Sequence, residues 1–413
     1  MLKTALLFVF AAVPALTQDA SVRCGHLLDV KSGQYLSNVT VEVKDGRILS
    51  VGAGSSRPSI DLSNATCLPG LIDVHDHITG DARMPAYNSL GVSIPRQTLM
   101  GAKFARITLR AGFTTIRNVG ASGYSDVALR DAVAAGDIEG PRMLVSGPAL
   151  GITGGHCDDN LLAPEYKHFD EGVADGPWAV RAKVRQNVKY GVDVIKICAS
   201  GGVFSESDPL KVPQLTPAEL DAIIGEAHRW GRKVAAHSHG DEAARLAVEA
   251  GVDSIEHGTF LTADTLRLMK QRGTYLVPTR MAAWWSGRHA DSYPPPIAKK
   301  AHAAATAGAQ MMKEALRIGV PIAFGTDSAV SPHGMNAKEF SLLVADGMTP
   351  AAALLAATRE ASRLLGVDAE TGSLEAGKAA DLVAVRGNVL EDITTTERPI
   401  LVMARGAVVV QKP

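Results

Sequence analysis

Cysteine is scarce: four occur in 413 residues, at positions 24, 67, 157 and 198, and no Cys-x-x-Cys pair is present. That argues against a zinc knuckle and against a disulfide-stapled scaffold. Cys24 and Cys67 could still pair in an oxidising compartment. Neither sign of charge dominates, since 42 Lys+Arg stand against 43 Asp+Glu for a net charge of −1. With no run of like charge, a basic nucleic-acid-binding surface is excluded. Beyond the first residues no uncharged apolar run reaches membrane-spanning length. Aromatics are few at 5%, whereas Gly is plentiful at 40 residues; this suits a chain with many tight strand-to-helix turns. A hydrophobic content of 46% with 21% charged residues excludes general disorder.

The length suits one large barrel with an appendage, or two domains. The chain opens with Lys3 ahead of an apolar stretch from Ala5 to Leu16, and Val13-Pro14-Ala15 supplies small residues for cleavage. Residues 1–19 therefore read as a secretory signal peptide, too short for a comfortable membrane span. A buried N-terminal helix is the alternative. The mature protein is expected to be exported, periplasmic or secreted, with no membrane attachment after signal removal.

Residues 20–67 alternate apolar and polar positions, with Asp45-Gly46 as a hairpin turn. Residues 371–413 alternate in the same way, so the two ends can build one small β-sandwich domain around an inserted middle. Residues 68–370 alternate short apolar strands with longer helical patterns. Eight strand candidates fall at 68–77, 113–119, 142–148, 192–199, 233–238, 254–257, 275–278 and 321–327. Between them, Thr216-Pro217-Ala-Glu219 carries a capping box that opens a helix, and residues 297–318 form a long Ala-rich helix. Eight such units predict an α/β fold, a (β/α)8 TIM barrel. A doubly wound sheet is the rival, but no Gly-rich dinucleotide fingerprint follows the first strand.

Chemistry gathers at the C-terminal ends of these strands, where TIM-barrel active sites lie. The first ends in His75-Asp76-His77, and strand alternation puts both imidazoles on one face. The fourth carries Lys196 within Val194-Ile-Lys-Ile, a charge that is costly in an apolar strand unless it is removed or paired. The fifth ends in His237-Ser-His239, the sixth in Glu256-His257, and the last in Thr326-Asp327. Each His taken singly reads equally well as structural. Lys196 could instead form a Schiff base with a carbonyl substrate, but a metal site uses the whole set.

This pattern resembles the amidohydrolase superfamily across nearly the whole chain. Asn64-Ala-Thr-Cys67-Leu-Pro-Gly-Leu-Ile-Asp73-Val-His75-Asp-His77 is similar to its entry into the barrel, and Gly372-Ser-Leu-Glu-Ala-Gly-Lys-Ala-Ala-Asp381 to its return to the sheet domain. Gly154-Gly-His156, Lys196-Ile-Cys-Ala-Ser-Gly-Gly and His237-Ser-His-Gly look like the imidazolonepropionase-related prolidase-like and carboxypeptidase-like peptidases, a subgroup that includes ochratoxin-hydrolysing enzymes. The resemblance implies two divalent metal ions, zinc as the expected species, bridged by carboxylated Lys196. His75, His77 and Asp327 would complete one ion, His237 and His257 the other. Asp327 would take the proton from the attacking water, which the metals acidify. His239 would either support the ligands from behind or face the substrate. Asp76, Cys157 and Asp158 have no role assigned by the resemblance, and Cys198 reads as a small core residue.

The expected function is exported, binuclear, metal-dependent cleavage of an amide or peptide bond beside a carboxylate-bearing amino acid. Dipeptides, N-acyl amino acids or ochratoxin-like amides are the small-molecule substrates implied, and a homo-oligomer is the expected assembly. His156, His239 and Arg280 are candidates for the substrate carboxylate. Residues 158–169 could line the mouth, and Val203, Phe204, Met281, Trp284 and Trp285 could form an apolar side pocket. Cyclic-amide hydrolysis or deamination on the same scaffold is the alternative, although Lys196 argues against a mononuclear deaminase. A non-catalytic assembly protein would have lost ligands, and none is missing.

Overall fold

The structure is a computed structural model that describes residues 19–53, 58–84, 86–160, 162–206 and 208–412. The signal-peptide expectation thus lies almost wholly outside the described residues. Both chain ends contribute to one seven-stranded sheet. From the N-terminus come β1 (Ala20–Asp29), β2 (Gln34–Lys44), β3 (Arg47–Gly52) and β4 (Ile60–Pro69). The hairpin read at Asp45-Gly46 joins β2 to β3, with Lys44 opposite Arg47.

After Gly70 the chain enters the barrel. Its strands are β5 (Leu71–Asp76), β6 (Phe113–Asn118), β7 (Arg142–Val145), β8 (Val194–Cys198), β9 (Lys233–Ser238), β10 (Ser254–His257) and β11 (Tyr275–Val277). The first strand read at 68–77 is therefore divided: its opening residues belong to the small sheet. The eighth position, 321–327, is extended without a continuous ladder. It still closes the ring, because Leu276 N donates to Pro321 O at 2.8 Å and Val74 N to Phe324 O at 2.9 Å. Pro321 brings no N–H, and Asp327 turns left-handed at φ 59°. On the far side, Leu150 N donates to Lys196 O and Asp193 N to Val145 O, both at 2.8 Å, which links β7 and its loop to β8.

The chain returns as β12 (Leu382–Arg386), β13 (Leu401–Ala404) and β14 (Ala407–Gln411), giving the sheet order β14-β13-β12-β4-β1-β2-β3. Buried Asp381 joins the two domains: its carboxylate accepts from Arg142 Nη1 at 2.8 Å in the barrel and from Thr371 Oγ1 at 3.0 Å. Helices pack around the barrel. Thr216 caps Pro217–Arg229 with the expected reciprocal box to Glu219, and the Ala-rich helix runs Pro295–Ile318. Among the described residues no helix is long and apolar enough to cross a membrane.

The cysteines correct an expectation. All four pair, as Cys24–Cys67 between β1 and β4 and as Cys157–Cys198 between the loop after β7 and the end of β8. Cys198 is therefore not a free core thiol.

Candidate metal centre

Strand alternation brings the predicted side chains to one mouth, where they face a cavity of about 670 Å³. His75 and His77 arrive on β5 and just beyond it. The ligating atoms of His75, His77 and Asp327 all lie within 4.8 Å of one another. A second group, His237, His239 and His257, meets the same measure. Lys196 lines the same cavity and is 3% exposed. The backbone is strained where these groups leave their strands: His257, Thr279 and Asp327 all have positive φ, at 72°, 44° and 59°. Such conformations are unfavourable for residues with a Cβ and persist only where surrounding structure enforces them.

Hydrogen bonds occupy one ring nitrogen of His75, His237, His239 and His257 and leave the other for a ligand. His75 Nδ1 donates to Glu256 Oε2 at 2.7 Å. Because a carboxylate only accepts, Nδ1 carries the hydrogen, and in the neutral ring Nε2 keeps the lone pair. That Nε2 is buried without a hydrogen-bond partner among the described residues, 3.5 Å from Asp327 Oδ1. His77 Nε2 lies 3.3 Å from the same oxygen. His239 and His257 engage Nδ1 with Thr259 Oγ1 at 2.7 Å and Thr279 Oγ1 at 2.6 Å. His237 is turned the other way, Nε2 donating to the Gly201 carbonyl at 3.2 Å, which in the neutral ring leaves the lone pair on Nδ1. Imidazole nitrogens and a carboxylate gathered in buried space suit a divalent metal ion.

Electrostatics point the same way. Burial holds His237 and His257 well below the ordinary imidazole value, with neighbouring imidazoles adding to the shift. His239 falls to about 3 and His156 to about 4, both mainly through burial. These rings are neutral, the form that binds metal. Burial would raise Asp327, but His75 and His77 hold it well below the usual carboxylate range. Burial lowers Lys196 to about 8, against the pull of Glu256 and Asp327.

Two charged residues of the site carried no assignment from sequence. Arg117 on β6 donates to Glu256 Oε1 at 2.8 Å and to Ser254 Oγ at 3.1 Å, and both members of the ion pair are fully buried. Burial alone would raise Glu256, yet Arg117 and His75 bring it to about 2. The signal was available, since a charge within an apolar strand is as costly at 117 or 256 as at 196. Asp73 is a further brace. It accepts from Thr326 Oγ1 at 2.6 Å and Asn336 Nδ2 at 2.8 Å, tying β5 to the eighth segment. Asp76 is fully buried away from the cavity, 3.6 Å from His333 Nδ1.

The substrate candidates divide. His156 and Cys157 reach the cavity, but the described residues between 158 and 169 are not part of its wall. His156 Nδ1 is 2.9 Å from Ser205 Oγ. Arg280 lines the cavity with Nε bound to Asp346 at 2.5 Å, its Nη1 lying so close to Gly308 that a methyl there would come within 2.4 Å. Val203 and Phe204 line the pocket; Met281, Trp284 and Trp285 do not. Helix Arg280–Arg288 turns Arg280 and Ala283 inward, and its two Trp side chains meet Arg288 and His289 instead.

The chain is similar to known proteins over nearly its whole length. The model of the Amidohydrolase family matches residues 66–409. Ochratoxinase of Aspergillus niger is 33% identical over 423 aligned residues, covering 94% of this chain and 86% of that protein. The structure of a Xaa-Pro dipeptidase with methionine bound in its active site superposes with a TM-score of 0.89 at 37% identity, covering 94% of this chain and 98% of that one. A prolidase complexed with N-methylphosphonate-L-proline gives 0.83 at 30% identity, covering 95% and 99%.

Proposed function

The chain belongs to the amidohydrolase family and is a hydrolase of amide or peptide bonds, and from that premise we propose an exported enzyme that releases a carboxylate-bearing amino acid from a dipeptide or N-acyl amino acid. The observation that carries the reading is the pair of ligand groups, His75–His77–Asp327 and His237–His239–His257, on the floor of one cavity with Lys196. His75, His77 and Asp327 would hold one divalent ion, His237 and His257 the other, zinc being the natural choice for imidazole and carboxylate donors. The bound pair would supply an acidified water and a Lewis acid for the scissile carbonyl.

Lys196 would bridge the two ions as a carbamate. Its amine, whose neutral form burial favours, would add to carbon dioxide through the nitrogen lone pair and release one proton to solvent, giving an anion where the protonated amine would be a buried cation. Asp327, held ionised, would accept the proton of the attacking water and return it to the leaving nitrogen. Arg280 brings a permanent charge for the substrate carboxylate, its guanidinium steadied by Asp346. His156 and His239, each with Nδ1 engaged, would offer Nε2 to the substrate. Val203 and Phe204 offer an apolar wall for its side chain. Both disulfides accord with an oxidising compartment.

A hydrolysis screen of the zinc-loaded protein over dipeptides and N-acyl amino acids tests this. Free acids should be cleaved and their methyl esters poorly. No amide cleavage by fully loaded protein would contradict the reading.

A further inference from the structure

We infer that the Cys157–Cys198 disulfide is a positioning element of the substrate site, fastening His156 against the metal centre; the inference rests on the hydrolase reading above and adds a residue pair to it. Cys157 follows His156 directly, and Cys198 ends β8 two residues after Lys196, with the Cα atoms 5.8 Å apart. Both half-cystines line the cavity. The bridge therefore joins the loop that presents His156 to the strand that presents Lys196.

Among the described residues the loop after β7 is laddered to β8 at Leu150; its next anchors, Gly151 opposite Val173 and Thr153 on Asp175, hold it to its own returning arm and not to β8, and Gly154 and Gly155 then intervene before His156. From there His156 is held by single neutral hydrogen bonds, N to Gln214 Oε1 at 3.0 Å and Nδ1 to Ser205 Oγ at 2.9 Å. Its ring lies flat on Gly202, where a Cβ would approach it to 2.0 Å, and 4.2 Å from the His237 ring. A ring in so narrow a slot needs its backbone fixed on the loop side as well. Cys24–Cys67 serves no such purpose, because it links β1 and β4, strands already paired along their length.

Peptide mapping without reductant should recover residues 157 and 198 linked; free thiols at both would overturn the inference. The double variant Cys157→Ala/Cys198→Ala should then speed hydrogen exchange in residues 152–160 by about tenfold or more, at wild-type metal content. Its KM for a free-acid substrate should rise by about tenfold, with a smaller change in kcat. Adding His156→Ala to that background should cost little more, since the two changes remove one contact. Cys24→Ala/Cys67→Ala should leave exchange in this loop and KM unchanged. Unaltered exchange, metal loss in step with KM, or fully additive effects with His156→Ala would each refute the role. The exchange experiment needs no turnover, so a failure of the hydrolase reading would be seen separately, as loaded wild-type protein that cleaves nothing.

Discussion

The two histidine groups on the cavity floor differ in what stands behind them. His75 leans on a carboxylate, Glu256, which is itself paired with Arg117 in full burial. His239 and His257 lean on the hydroxyls of Thr259 and Thr279. Both kinds of partner orient a ring, but only an anion also raises its basicity. The first group in addition contains Asp327, while the second is made of neutral imidazoles alone. Compensating charge is thus concentrated on one side. A second dication bound by neutral rings needs an anion from elsewhere, and a carboxylated Lys196 would supply it to both sides at once.

Removing the anion of the first group should have the largest effect. Asp327→Asn should lower kcat by about a thousandfold or more on every substrate, because the amide cannot accept the proton of the water. Steady-state kinetics on acid and ester substrates would check this; a loss confined to one class would point to a binding role. Lys196→Ala should strip the shared bridge, with most of the metal and nearly all activity. Short carboxylic acids should restore part of both, whereas Lys196→Arg should not respond, because guanidinium neither loses its charge nor ligates. Trapping of a carbonyl substrate on Lys196 by borohydride would favour a Schiff base instead.

The apoprotein offers a pH test of the same residue. Without metal or carbon dioxide, the Lys196 amine is lowered from 10.5 to about 8, burial being the cause. Between those values the unfolded chain binds more protons than the folded one, so stability should rise with pH across that window and be lowest below it. The span is worth about 3 kcal/mol. Urea titrations of wild type and Lys196→Met would isolate it as a difference; parallel pH profiles would show that the folded amine titrates normally. The smallest effect sharpens the contrast behind the rings. Glu256→Gln should weaken metal binding about ten- to a hundredfold, and Thr279→Val by less. Equal losses in metal-competition titrations would mean that orientation, not charge, is what these partners contribute.

Much of this site was legible in the sequence because strand-end positions and the two-residue repeat are local properties. His75, Lys196, His237, His257 and Asp327 sit at one mouth for that reason. What was not legible depends on rotation and on distance. Whether His239 joins His237 as a donor or faces the substrate turns on ring orientation, since alternation places both on one side. Trp284 and Trp285 were expected in the pocket, but the helix they share gives its inner face to Arg280 and Ala283. The pairing of Cys157 with Cys198 depends on a loop path that no periodicity encodes. The division of the first strand at Gly70 escaped notice because β4 and β5 are both apolar there. Arg117 and Glu256 are a different case: the cost of a buried charge marked them as clearly as Lys196, and their importance lies in each other.

Metal content, measured by elemental mass spectrometry on the purified chain, tests the central claim most directly. Wild-type protein reconstituted with zinc and bicarbonate should hold about two ions per chain, and reconstitution without carbon dioxide should fall well short of that. Full hydrolytic activity in rigorously metal-free protein, or two tightly bound ions in Lys196→Ala without any added carboxylate, would contradict it.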